Sequence, residues 1–262
     1  MMRHPPDLTT PNRARVYDCL LGGTDNFPGD RELARQLADP ETGYPGLPAL
    51  ARQNRRFILT AAGWLARRGI AQYLDLGCGL PSVPAVHEAA REHVPGARVV
   101  YADSDTMAVS HTAASLRGAD GLTAVTADLR DPDAVLSLAV RHLDLSCPVA
   151  VILGAVLHSV PRGEARRLAA RYAGRLAPGS AAVISVLSIP DPELARRARE
   201  LSGGGWHGHT AADVQGWFTG AGLRTVRRQA GDVACFPLEP SGRPKPALIA
   251  GGIGIKAAGR AG

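Results

Sequence analysis

Apolar positions along this chain recur with two different periods, and the two periods take turns. Apolar residues three and four apart mark helical blocks over 13–21, 30–37, 50–67, 82–93 and 162–176. In the block 50–67 the stripe is Phe57, Ile58, Ala61, Ala62 and Leu65, and in 162–176 it is Ala165, Leu168, Ala169, Tyr172 and Leu176. Short β-branched or continuously apolar runs stand between these blocks, at 72–76, 97–102, 122–126, 148–153, 181–187, 223–228 and 247–255. The run 148–153 has no polar interruption, as expected of a parallel strand covered on both faces. Asp131-Pro132 and Asp191-Pro192 read as helix starts, an N-cap followed by proline in the first turn, and Thr210 with Asp213 reads as a capping box leading a helix to Thr219. Strands alternating with helices predict an α/β domain on a mostly parallel sheet. The last two strands, joined by a proline-containing connection, predict an antiparallel edge.

Composition adds limits rather than a function. At 262 residues and 45% apolar content the chain suits one large domain and not a disordered segment. Its formal charge is +6, but Lys245 and Lys256 are its lysines, and arginines such as Arg162, Arg166, Arg167, Arg171 and Arg175 are spread over helix faces. A nucleic-acid surface would concentrate them in a stripe with aromatics, so solvated faces are expected and no nucleic-acid partner. Cys19, Cys78, Cys147 and Cys235 lie far apart without metal-ligand spacing, as in free thiols of a reducing compartment. No metal is expected. The N-terminal residues have no apolar core behind them, and the longest apolar run, 149–157, is about half a membrane span, so a cytoplasmic protein without membrane insertion is expected.

The candidate chemistry sits where strands end. Tyr73-Leu74-Asp75-Leu76-Gly77-Cys78-Gly79-Leu80-Pro81 is a strand that ends in an acid and two glycines, and a helix is expected from Ser82. Glycine lets backbone approach a ligand closely, and a helix N-terminus would turn its amides toward it. A dinucleotide fingerprint would need a third glycine where Ser82 stands. Asp-x-Gly-x-Gly instead resembles the S-adenosylmethionine (SAM) loop of Rossmann-like methyltransferases. In that loop the glycines, here Gly77 and Gly79, pass the methionine moiety, and the acid, here Asp75, lies near its ammonium group. Two further acids follow at the next strand ends. Asp103, beside Ser104 and 28 residues after Asp75, takes the place of the ribose-binding carboxylate, while Asp105 competes as a helix N-cap. Asp128 is left over once Asp131 caps its helix; in methyltransferases of this fold an acid there accepts from the adenine amino group while an apolar neighbour, here Leu129, holds the ring.

The N-terminal blocks carry a longer signature. Arg13–Leu21 reads as a helix ended by Gly22-Gly23, and Tyr17, Asp18, Asp25, Asn26, Asp30 and Arg31 crowd the following corner with polar groups. Ala14-Arg15-Val16-Tyr17-Asp18, Leu20-Leu21-Gly22-Gly23, Asp25-Asn26-Phe27 and Asp30-Arg31 resemble the N-terminal signature of an actinomycete S-adenosyl methyltransferase family, formerly a domain of unknown function. The resemblance continues through Asn54-Arg55-Arg56-Phe57, the loop at Asp75, Val86-His87-Glu88, residues 127–132 and Val156-Leu157-His158, covering about residues 12–190. It implies a Rossmann-like SAM-dependent methyltransferase fold: a seven-stranded, mostly parallel sheet with helices on both faces, an antiparallel last strand and an N-terminal helical cap. Residues 1–11 are then a flexible N-terminus, 12–68 the cap, 69–256 the SAM-binding domain and 257–262 a tail.

The remaining site expectations follow from that frame. The cap should fold over the cofactor, with Tyr17, Gly22, Gly23 and Asn26 against it and Asn26, Phe27 and Arg31 facing an acceptor. Arg52, Arg55 and Arg56 lie on or beside the polar face of 50–67, where a guanidinium forks well onto the SAM carboxylate; Arg55 is taken for this role, against the alternative of solvated arginines. His158 follows the fourth strand, close to where an acceptor should lie, and together with Tyr17 is the candidate proton-transfer group, against a structural hydrogen-bonding role. The loop 202–209 holds Trp206, His207 and His209; Trp206 is a candidate substrate contact, and two histidines make no metal site. The expected activity is methyl transfer from SAM to an O, N or C nucleophile of a small molecule, with S-adenosylhomocysteine (SAH) released. Cyclisation or cleavage of the aminobutyryl arm, releasing methylthioadenosine, and noncatalytic SAM binding are the alternatives.

Overall fold

The computed structural model describes residues 9–226, 231–232 and 248–257. The sheet follows the order β3-β2-β1-β4-β5-β8-β6, where β1 is Gln72–Leu76, β2 Arg98–Asp103, β3 Leu122–Thr126, β4 Ala150–Gly154, β5 Ala181–Ser188, β6 Leu223–Thr225 and β8 Leu248–Lys256. Pairing is parallel from β3 through β5, and β8 runs antiparallel to both β5 and β6. A two-residue strand, β7 (Gly231–Asp232), adds to β8 beside this path. The expected mostly parallel sheet with an antiparallel last strand is therefore present. The proline-containing connection and Cys235 lie outside the described residues.

Strand alternation gives each face its own core. Leu74 and Leu76 point with Val151, Leu153, Ile184 and Val186 toward Leu168 and Tyr172 of α7 (Arg162–Arg175) and Trp217 and Phe218 of α9 (Ala211–Gly220). Tyr73 points the other way, with Val99, Ile152 and Val183, into Phe57, Ile58, Ala61 and Leu65 of α3 (Leu47–Ala66). The apolar stripe of 50–67 thus docks on the sheet centre, and Asp75, two residues from Tyr73, shares the α3 face. This doubly covered sheet sets one topological feature on which the site depends: the strand order reverses between β1 and β4, so the carboxyl ends of those strands open a crevice.

Several boundaries shift for local reasons. The helix expected from Ser82 begins at Val86, as α4 (Val86–Arg91), because Pro84 offers no amide and disfavours helical backbone at Val83. Glu88 then caps the start of α4, its Oε2 accepting from the Ala85 amide at 2.6 Å. Consequently no helix N-terminus follows the glycines directly, contrary to expectation. The sixth strand stops at Thr225 rather than 228, and the second helix, α2 (Pro28–Ala38), starts earlier than 30 because Pro28 fits the first turn.

Candidate active site

Two glycines at positive φ shape the loop after β1, and at the first of them a Cβ would also clash. At Gly77, with φ +67°, a Cβ would lie 2.4 Å from Cγ1 of Val156 and 3.7 Å from Cδ2 of Leu129, so the ends of β1, β3 and β4 converge on it. Gly79, at φ +65°, lies under the cap: its Cβ would fall 3.8 Å from that of Ala14 in α1 (Arg13–Leu21). The Gly77 amide donates to Ala102 O (2.7 Å), while the Gly79 amide donates to Asp103 Oδ2 (2.8 Å). Asp103 Oδ1 accepts from the Asp105 amide at 2.9 Å, and Asp105 in turn caps α5 (Thr106–Ser115) through the Met107 amide. Both aspartates thus find a place, one tying two loops and one capping a helix. Ser104 beside them is exposed.

The other two strand-end acids differ in environment. Asp75 is buried, and burial pushes its carboxyl up to about 6; Arg55 opposes the rise and Asp103 adds to it. Asp128 is half open and grips Arg130 (Oδ2 to Nη2, 2.6 Å), which holds its carboxyl below the usual range. Such an exposed pair contributes little and opens readily. Leu129 is half-buried beside Gly77, its carbonyl accepting from the Tyr172 hydroxyl at 2.8 Å.

The cap is organised around a buried ion pair. Asp30 accepts from Arg15 Nε (2.7 Å), the Phe27 amide (2.9 Å) and the Asn12 amide (2.8 Å), so it joins the start of α1 to the start of α2. The Arg15 guanidinium lies over the Phe27 ring. Gly22 ends α1 at φ +88°, and a Cβ on Gly23 would overlap the Asp18 carboxylate. Asn26, buried, donates to Asp18 Oδ2 (2.8 Å), and Arg31 donates to the Asn26 carbonyl (2.7 Å). The polar crowding of this corner therefore ties the turn together. The Tyr17 hydroxyl donates to Ala51 O (3.1 Å) and accepts from Asn54 Nδ2 (2.8 Å); burial raises its pKa, so it is a neutral phenol at physiological pH. Arg55 reaches back to the loop after Gly79, donating to the Ser82 (3.1 Å) and Pro84 (2.6 Å) carbonyls, while its buried Nε has no partner.

His158 lies in a single 3-10 turn, Leu157–Ser159, after β4. Its Nδ1 accepts from the Leu187 amide at 3.4 Å, which leaves the ring proton on Nε2, and burial, with Arg13 and His209 nearby, pushes its pKa down to about 4. The ring is thus a neutral donor at Nε2, which suits general-base work poorly. The loop 202–209 closes over it: His207 N donates to His158 O (2.7 Å) and Arg13 to Gly205 O (3.2 Å). Trp206 is buried with no partner at Nε1, and His209 donates from Nε2 to the Leu157 and Val160 carbonyls at 3.0 and 2.9 Å. Among the described residues no three metal-ligating side chains gather.

A further polar group, which no motif in the sequence marks, lies behind the site. Ser185 on β5 donates to Asn54 Oδ1, and its Oγ accepts from the amide of Ala155, a non-glycine residue at φ +55°. A serine within the apolar run 181–187 was the available signal, since a buried hydroxyl must find partners.

Three comparisons bear on this arrangement. The family described as S-adenosyl methyltransferase matches residues 2–226. No curated protein matches the chain. Among solved structures, a candidate methyltransferase from Thermobifida fusca YX is 36% identical, with a TM-score of 0.85, 98% of this chain covered and 100% of the other. A DUF574 family protein from Streptomyces avermitilis MA-4680 is 29% identical, also at TM-score 0.85, with 95% and 99% covered. The magnesium protoporphyrin IX methyltransferase of Synechocystis PCC 6803, solved with bound SAH, shares the fold at 16% identity and TM-score 0.51, with 91% and 92% covered. The glycine loop, the strand-end acids and these likenesses agree: the chain belongs to the S-adenosyl methyltransferase family and is a SAM-dependent methyltransferase.

Proposed function

We propose that this enzyme methylates an O, N or C nucleophile of a small molecule and releases SAH. The observation that carries the reading is the position of α1, whose Ala14 lies over Gly79: the crevice is roofed, which suits a small acceptor better than a macromolecular one. In this reading the methionine moiety passes the backbone of Gly77 and Gly79, Asp75 receives its ammonium group and Arg55, with Nε free, its carboxylate. Asp103 has lone pairs left for the ribose hydroxyls beside Ser104, because its two backbone bonds use half of its acceptor sites. Asp128 takes the adenine amino group once Arg130 swings away, and Leu129 holds the ring.

Bound SAM supplies a methyl group already activated by its sulfonium. What the chain adds is placement: Gly22, Gly23 and Tyr17 form the roof, Asn26, Phe27 and Arg31 brace it from within the hairpin, and Trp206 and His158 close the side beneath the loop 202–209. Water is excluded by the loop 202–209 and α1, which meet through Arg13.

Incubation with SAM and pooled small molecules, read by mass spectrometry, tests this. A methylated product with SAH is expected. Methylthioadenosine, or SAM binding without turnover in any pool, would overturn it.

A further inference from the structure

Beside the glycine loop lies a cleft of about 590 Å³ that none of Gly77, Gly79, Asp103 or Asp128 lines. Its wall is the segment 81–83, directly after the loop; opposite stand the α1–α2 turn and one face of α3. Two chemistries meet in it. Arg52 projects from one turn of α3 and Arg55 and Arg56 from the next, and Leu21, Leu59 and Val83 give the cleft apolar surface. Arg52 and Arg56 are exposed and make no hydrogen bond or ion pair among the described residues, whereas Arg35, Arg171, Arg175 and Arg196 are each held by a carboxylate. The acids at the cleft are engaged elsewhere: Asp18 accepts from Asn26, and Asp25 lies 3.3 Å from His111. Val83 is 91% exposed. A lone exposed valine means little, but one that shares a concave surface with two leucines and unpaired guanidinium groups does.

We infer that this cleft is the subsite that holds the methyl acceptor, and that the acceptor is an apolar small molecule carrying a carboxylate, sulfonate or phosphate group. The inference rests on the small-molecule reading above. Arg52 and Arg56, one helical turn apart, bind the anion from two sides, and a guanidinium forks onto two of its oxygens. The apolar body then lies on Leu21, Leu59 and Val83. Arg55, which lines the cleft and holds the segment after the glycine loop at the Ser82 and Pro84 carbonyls, separates the two ligands.

The test uses the full-length enzyme saturated with SAH and two fluorescent probes with the same apolar rings: 8-anilinonaphthalene-1-sulfonate, and N-phenyl-1-naphthylamine, which lacks the sulfonate. The sulfonate should bind at least roughly tenfold more tightly, a preference that the paired substitution Arg52→Gln, Arg56→Gln removes while calorimetry finds SAH affinity unchanged. Equal binding of both probes to the parent, or an undiminished preference in the double variant, would overturn the proposal. So would displacement of the sulfonate by SAH from protein not yet saturated, since the cleft would then belong to the cofactor. The pooled-acceptor assay is independent of these titrations: a methylated but uncharged product there would refute the anionic acceptor class and leave methyl transfer standing.

Discussion

Ser185 Oγ donates to Asn54 Oδ1 over 2.6 Å, and through this buried bond a central strand is tied to the N-terminal cap. Asn54 continues to the Tyr17 hydroxyl on α1, and Ser185 accepts from Ala155 at the end of β4. The next residue, Val156, is the one that seats on Gly77. The helix α1, the turn after β4 and the glycine loop are therefore linked by one chain of contacts, polar as far as Ala155 and apolar at Val156. Ser185→Ala leaves Asn54 Oδ1 without its donor, a cost of about 1–3 kcal/mol. Asn54→Leu combined with it should cost less than the sum of the two single changes. Denaturant titration of the four proteins measures this; simple additivity would show that the chain is not coupled.

Asp103→Ala would remove more than the proposed ribose contact. The Gly79 and Asp105 amides lose their shared acceptor, so the loop itself loosens. SAH affinity should fall roughly ten- to a hundredfold for each charged hydrogen bond lost, about 1.5–3 kcal/mol each. Calorimetry reads this directly, and an unchanged affinity would remove Asp103 from the ribose role.

Asp75 and His158 tilt acid stability in opposite directions. With the Asp75 carboxyl raised to about 6, the folded state holds a proton that the unfolded state releases near 3.9, so this group contributes stability at low pH that is lost as pH rises through that window. With His158 lowered to about 4, the unfolded state takes up its proton first, near 6.5, and stability is lost as pH falls toward 4. Melting temperatures between pH 4 and 7 should therefore fall more steeply toward acid in Asp75→Asn than in the parent, and less steeply in His158→Gln. Identical slopes in all three would refute both assignments.

The proposed role of the same carboxyl predicts a pH dependence for cofactor binding. If Asp75 must be ionised to receive the ammonium group, SAH affinity should be flat above about pH 7 and weaken below 6, by up to tenfold per unit. Asp75→Asn should bind weakly throughout, without that inflection. An inflection that survives the substitution would belong to another group.

Asp30→Ala leaves the Arg15 guanidinium buried without its carboxylate and frees two backbone amides, a loss of about 3–5 kcal/mol. Because Asp30 fastens α1 to α2, the loss should appear first as protease sensitivity within residues 12–38. Sensitivity spread evenly over the sheet domain would argue against a separately held cap.

Much of this enzyme was legible before folding. Strand and helix periods, the glycines that only a close turn requires, and acids at successive strand ends are local or nearly local properties, and β1, β3 and α1 stand within the residues the pattern marks. The family signature likewise lies in short contiguous words. What the chain could not declare was where each polar side chain would find its partner. Asn26 and Arg31 look alike as candidate ligands in the sequence, yet folding turns both inward to the hairpin. Asn54 and Ser185 are 131 residues apart and meet only when α3 docks on β5. His158 reads as a titratable base until burial and the Leu187 amide make it a neutral donor. Periodicity and turn chemistry are set by neighbours in sequence, whereas desolvation and hydrogen-bond partnership are set by neighbours in space, and those exist only in the folded chain.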